Sequence, residues 1–417
     1  MIKTANLRSS AAPWLVLPAL FYAGVVVQAN AVTAGTDFGV LSGEYAGQSL
    51  PIVTAAVAAS AAWEAGRQRA LTEFVKSSVR SPLQRVLYAL LPTVALHVVL
   101  VTTMVALGWQ LQGVPPSGAG WLAVAHLVVI PLGWMAIGWA IGTVAPRSIA
   151  APLAGILGWI LLLFPASLAT PWYRHLFGTI IENSTVTDVR APAAYLIPWA
   201  FTTVMALAVW IAITLKPRVA GVLVGLAVLA ASLVVGRGAV IDWGYVRPDE
   251  PRALQYTCAG ASPKVCFPVE YADYVGKASD DIRPPLAALA RAGIALPDEL
   301  RLQSARVPVT PGIWPYEWYL PRRGTVVTRG DTVSDLAETV LAGTARDQGV
   351  AKPCNMPGSA ASAWAMLVMG ADTTQMRQMV PPEMSAELDA VRKRSVGDQA
   401  DWFRAQARSQ KHCQAPQ

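Results

Sequence analysis

The residues best suited to do chemistry lie together in AAWEAGRQRALTEFVKSSVRSPLQR, residues 61–85. Arg67, Arg69, Lys76, Arg80 and Arg85 are offset there only by Glu64 and Glu73. Leu71, Phe74, Val75 and Val79 recur at helical spacing, so a helix over about 67–82 has one apolar and one cationic side. Such a helix docks rather than breaks bonds. It suits a membrane surface, and its positive charge points to the cytoplasmic one.

Few other residues compete with it. His97 and His126 fall inside apolar runs, where an ionisable group is a candidate for function. The plainer reading, a neutral histidine hydrogen-bonded between helices, is favoured. Cys258, Cys266, Cys354 and Cys413 are the only cysteines and all lie in the last part of the chain. An even number confined there implies disulfides in an oxidising compartment. The loop YTCAGASPKVC reads as closed by Cys258 and Cys266, with Cys354 and Cys413 left to pin a C-terminal helix, although four cysteines permit three connectivities. There is no Gly-x-x-x-x-Gly-Lys-Ser/Thr phosphate loop, no His-Glu-x-x-His, no Cys-x-x-Cys and no Gly-x-Ser-x-Gly elbow. No catalytic, cofactor-binding or metal-ligating set is therefore assigned.

The elements that must carry these residues follow from composition. The chain has 417 residues, of which 54% are apolar and 14% charged. Soluble domains carry about a quarter charged residues. The charges here are segregated: residues 1–236 are nearly uncharged outside a few loops, and 237–417 have ordinary soluble composition. Net charge is +7. A bias of cations to one side of a membrane explains much of it, and nothing accompanies it that would read nucleic acid.

Seven apolar runs are close to the ~20 residues a bilayer requires. They fall at about 11–29, 50–66, 86–109, 121–145, 149–169, 195–215 and 219–236. With the N-terminus inside, the inner segments hold Lys3, Arg8, Arg67, Arg69, Lys76, Arg80, Arg85, Arg147, Lys216 and Arg218. The outer loops before residue 237 hold only Arg174 and Arg190. That asymmetry fixes the orientation and puts residues 237–417 outside, where the cysteines also place them. The polar, Gly-rich stretch 30–48 reads as an outer loop. Gly138 and Gly142 form a Gly-x-x-x-Gly, as do Gly221 and Gly225, a pattern common by chance in so Gly- and Ala-rich a chain.

The expected class is a polytopic α-helical membrane protein of about seven spans with a mainly α (α+β) extracytoplasmic C-terminal domain. In that domain helices are expected at about 280–295, 332–346, 359–370, 382–394 and 397–411, and short strands at 306–309 and 325–328. The aromatic cluster IWPYEWY, 313–319, reads as core or as a surface that docks on the membrane.

The segment Trp63-Glu64-Ala65-Gly66-Arg67-Gln68-Arg69, running on to Ser81-Pro82, resembles a Trp-(Asp/Glu)-Ala-Gly-Arg-x-Arg stretch of ABC-2-type permease subunits of actinobacterial ABC transporters. The resemblance covers roughly residues 1–218. It implies a bacterial plasma-membrane transport subunit, not itself an enzyme, that exports an amphipathic or hydrophobic compound. It further implies that Glu64, Arg67, Arg69, Glu73, Lys76 and Arg80 belong to a coupling helix docked on a separate ATPase. ATP then acts through that partner, no cofactor is bound directly, and a second permease copy or homologue completes the pathway within membrane lipid. The seventh span and the large outer domain depart from the family pattern. They leave two further readings, a membrane-anchored binding or sensor protein and a membrane-anchored hydrolase.

Overall fold

The computed structural model describes residues 9–30, 38–71, 81–179, 183–245, 248–304, 306–316, 329–350, 359–372 and 382–410. The chain divides at Glu250 into two compact units.

The first unit is helical. Its main elements are α1 (Ala12–Asn30), α2 (Gly39–Gly47), α3 (Leu50–Ala70), α4 (Pro82–Gln112), α5 (Gly120–Val144), α6 (Arg147–Leu163), α7 (Trp172–Phe177), α8 (Ala193–Thr214) and α9 (Arg218–Val240). Six of the helical segments are long and apolar enough to cross a membrane: Ala12–Ala29, Leu83–Gln112, Gly120–Val144, Arg147–Ser167, Ala193–Thr214 and Arg218–Trp243. The remaining expected span, 50–66, falls on α3, which is less apolar because it carries Thr54, Ser60, Glu64, Arg67 and Arg69. It packs along α5 and α6, and most of its side chains are buried against protein.

Local sequence explains how these helices start and meet. Ser81 Oγ accepts from the Gln84 backbone N–H, and Gln84 Oε1 accepts from the Ser81 N–H. This capping box, with Pro82 in the first turn, starts α4. Pro51 sits in the first turn of α3, where its missing N–H costs nothing, and only Gln48 and Ser49 separate α3 from α2. A Cβ at Gly138 would overlap the Ala58 carbonyl of α3, and one at Gly142 the Ala62 carbonyl. Gly221 and Gly225 approach α8 in the same way. Both Gly-x-x-x-Gly pairs thus sit at close helix contacts.

Two readings of the first unit change. The stretch 30–48 is not all loop: α2 occupies its second half and all nine of its residues are buried. Gly43 lies against Gly120, and Gly108 against Ser42, too close for a side chain, so glycines of α2 and of the helices around it are what allow a buried helix there. The basic helix does not begin at 67 either. Helix α3 runs unbroken through Arg67 and Arg69 to Ala70, and residues 72–80 lie outside the described residues.

The second unit is α/β. Strands β3 (Tyr256–Ala259), β4 (Lys264–Pro268), β5 (Glu299–Arg301) and β6 (Ile313–Pro315) form a sheet in that order; β1 (Asp188–Arg190) of the first unit pairs separately with β2 (Asp249–Pro251), where that unit ends. Strands β3 and β4 are antiparallel, whereas β4–β5 and β5–β6 are parallel. Helix α10 (Ala272–Arg291) makes the crossover that a parallel β4–β5 pair needs. Helices α11 (Arg329–Asp347), α12 (Ala360–Val368), α13 (Pro382–Arg392) and α14 (Val396–Ser409) follow. Val265, Phe267, Leu300 and Trp314 are buried, and a Cβ at Gly343 of α11 would overlap the Trp314 indole. The strand expected at 306–309 does not form. Pro308 and Pro311 remove backbone donors from that connection, and the strand comes at Ile313 instead. Residues 325–328 lie outside the described residues. Helix α10 begins at Ala272, ahead of the expected 280, and contains Pro284 and Pro285.

Candidate functional site

At the basic end of α3 the candidate docking residues divide. Glu64 has no exposed surface and pairs with Arg67 at 2.6 Å, the guanidinium side chain being 12% exposed. The pair is turned inward. Arg67 Nη1 donates to Ser9 Oγ at 2.5 Å, Trp63 Nε1 donates to the Ser9 carbonyl at 3.3 Å, and the Glu64 carboxylate faces Ser10 and the Ala11 backbone. An anion beside the start of α1 also meets the positive end of that helix. From the other side Arg147, the first residue of α6, lays its guanidinium 4.8 Å over the Trp63 ring. Gly66 leaves room for the Arg147 backbone, where a Cβ would come within 3.0 Å of the Arg147 Cα. One turn of α3 thereby ties the adjacent ends of α1 and α6. Arg69 is exposed. Glu73, Lys76 and Arg80 lie outside the described residues.

A second polar cluster, invisible to motif reading, gathers around Glu44 of α2. Its buried carboxylate accepts from the Ser184 backbone N–H at 2.5 Å, from Ser184 Oγ at 2.6 Å and from the Tyr195 hydroxyl at 3.4 Å. Arg190 is 6% exposed and lies 5.6 Å over the Tyr195 ring. Burial alone would pull the Arg190 guanidinium down, but Glu44, Tyr195 and Asp249 hold it charged, above its usual value. Gln48 Nε2 donates to Asn183 Oδ1 at 2.8 Å, so two successive turns reach the same 183–191 loop. Strand pairing and the Ala191 N–H to Pro248 carbonyl bond tie that loop to the segment around 249. The sequence clue was the pair of acids Asp37 and Glu44 in a stretch, 30–48, without a cation.

Both histidine candidates are buried and hydrogen-bonded to backbone carbonyls. Trp199 Nε1, which can only donate, reaches His126 Nδ1 at 2.7 Å, so the proton sits on Nε2, which donates to the Gly178 carbonyl at 2.8 Å. A neutral imidazole with both nitrogens engaged holds the end of α7. Gly178 has φ +82°, and a Cβ there would meet the imidazole at 2.7 Å. His97 Nε2 bonds the Leu127 carbonyl at 3.3 Å.

In the second unit Cys258 and Cys266 stand opposite each other on β3 and β4 and are joined in a disulfide. Cys354 and Cys413 lie outside the described residues. Cys258, Cys266 and Glu299 are the one group of three ligand-type residues whose atoms converge among the described residues. The disulfide leaves no thiolate there, and Glu299 Oε1 is already held by Arg301 Nε at 2.5 Å, so the set does not suit a metal. The aromatic cluster goes to the core: Trp314 is buried and donates to Asp347 Oδ2 at 3.1 Å, and Tyr316 is buried with its hydroxyl pushed well above its ordinary value by desolvation. Residues 317–319 lie outside the described residues.

A family model described as a domain of unknown function (DUF7224) matches residues 265–413, within the second unit. No curated protein and no solved structure matches the chain.

Proposed function

We propose that this chain is the membrane subunit of an ABC-type exporter, moving an amphipathic or hydrophobic compound on energy from a separate P-loop ATPase. The observation that carries the reading is the tie at the end of α3. A partner that pushes on the chain just beyond Ala70 moves α1 and α6 with α3, because Glu64, Arg67 and Trp63 link all three ends. The resemblance of residues 63–69 to a permease coupling segment supports the same reading, and so does the lack of a phosphate loop in this chain. In this reading the basic end faces the cytoplasm, the second unit faces out, and two permease copies form the pathway.

The test is purification from native membranes with identification of the attached subunits. An ATPase carrying a phosphate loop is expected to co-purify. Arg69→Glu should abolish stimulation of that ATPase while leaving membrane insertion intact. Arg69 is the residue to reverse, since Arg67 is committed to Glu64 and Ser9 and its reversal would disturb the fold. Isolation of the chain without an ATPase, or stimulation unchanged by Arg69→Glu, would sink the proposal.

A further inference from the structure

A groove of about 370 Å³ runs between α1, α3 and α6 on the first unit. Ala19, Ile52 and Ala56 form its floor, and Leu15, Ile156 and Trp159 its walls. The floor residues are buried except for the little surface they turn to the groove, whereas Ile156 and Trp159 are exposed. Water placed there would find almost no polar partner. Two of the three helices are long and apolar enough to cross a membrane, so the medium beside the groove is hydrocarbon. From Leu15 to Tyr22 along α1, or Ile52 to Ala59 along α3, the groove runs about 10 Å at 1.5 Å per residue. That is most of the ~15 Å thickness of one hydrocarbon leaflet. The shape and chemistry fit one aliphatic chain.

Charge says what the chain is attached to. The groove ends at Ala151, one helical turn or about 6 Å from Arg147. Arg147 is exposed, rests on Trp63, and pairs with no carboxylate among the described residues. Arg67, nearby, is balanced by Glu64. The Arg147 guanidinium, without a carboxylate partner among the described residues, therefore stands where a lipid headgroup would emerge. A second copy seated symmetrically on this groove would bring its own Arg147 to a like charge, whereas an anionic headgroup brings the opposite one.

We propose that this groove holds an acyl chain of an anionic phospholipid, with the phosphate against Arg147. The inference does not rest on the transport reading and is tested without an ATPase. The probe is phosphatidylglycerol carrying a photoactivatable group in its acyl chain, added to the purified full chain in detergent, with phosphatidylcholine of the same chains as the control. Adducts should map to peptides containing Leu15–Tyr22, Ile52–Ala59 and Ala151–Trp159. Phosphatidylglycerol should label about fivefold more than phosphatidylcholine, the effect of one basic side chain near a membrane surface. Arg147→Gln should erase that preference, and Ala55→Phe, filling the groove, should remove labelling by both lipids. If Ala55→Phe does not fold, the mapped adducts and the Arg147→Gln comparison decide. Adducts elsewhere, equal labelling by the two lipids in the wild type, or a preference that survives Arg147→Gln would overturn the proposal. So would a groove left unlabelled by both lipids while the purified chain runs as a dimer.

Discussion

Glu44 and Glu64 are both fully buried carboxylates, yet they carry different risks. Glu44 is satisfied by Ser184 and Tyr195 and balances Arg190, a cation that is itself buried. Glu44→Ala takes away one of the two carboxylates, with Asp249 the other, that hold that charge in a dry site, and removing one partner of a buried pair costs roughly 3–5 kcal/mol. Glu64→Ala also strands a cation, but the Arg67 side chain is 12% exposed and keeps Ser9 as a partner. Its loss should cost less, about 1–3 kcal/mol, near the value of a charged hydrogen bond. Thermal unfolding of the two variants in detergent checks the order, and a Glu64→Ala variant as unstable as Glu44→Ala would show that the α3 tie is as dry as the α2 cluster.

Between elements, close helix contact rests on missing side chains. Gly138 and Gly142 meet the Ala58 and Ala62 carbonyls of α3. Gly142→Val should force α3 and α5 apart at a cost of about 1–3 kcal/mol, whereas Gly24→Val, with open space around it, should be close to neutral. Melting temperatures of the pair test this. The disulfide gives a second element-scale prediction. Thiol reagents applied to unreduced protein should leave Cys258 and Cys266 unmodified, and mutating the pair should destabilise the sheet by about 2.5 kcal/mol on loop-entropy grounds. Ready labelling at Cys258 would refute the pairing. These cases also mark what the sequence made legible. Six apolar helices were plain because each is a long run that lipid selects, and the Cys258–Cys266 loop was plain because its partners are eight residues apart. Helix α2 was hidden because its composition is that of a turn. The Glu44–Arg190 site was hidden because its members are far apart in sequence and each looked like an ordinary loop charge. The strands were hidden by shortness: β5 and β6 have three residues each, too few for an alternation to register.

At the scale of the whole chain the number of crossings turns on α3. By apolarity alone six helices qualify, and an even number would leave both termini on one side. Helix α3 fails that criterion for a physical reason. A helix wrapped by α5, α6 and α4 touches little lipid, so it tolerates Thr54, Ser60 and Glu64 where a lipid-facing helix would not. Its 21 residues span about 31 Å, enough for the hydrocarbon core. If α3 crosses, the count is seven and the termini lie on opposite sides, the arrangement expected from the sequence positions of Arg67, Arg69, Arg85, Arg147, Lys216 and Arg218. Fusion of a fluorescent protein that matures only in the cytoplasm to the N-terminus should give signal. Alkaline phosphatase, active only in an oxidising compartment, should work when fused after residue 417 and fail when inserted at residue 146, between α5 and α6. An N-terminal fusion that fluoresces while alkaline phosphatase after residue 417 is inactive would mean that α3 does not cross, and would remove the charge asymmetry as the guide to orientation.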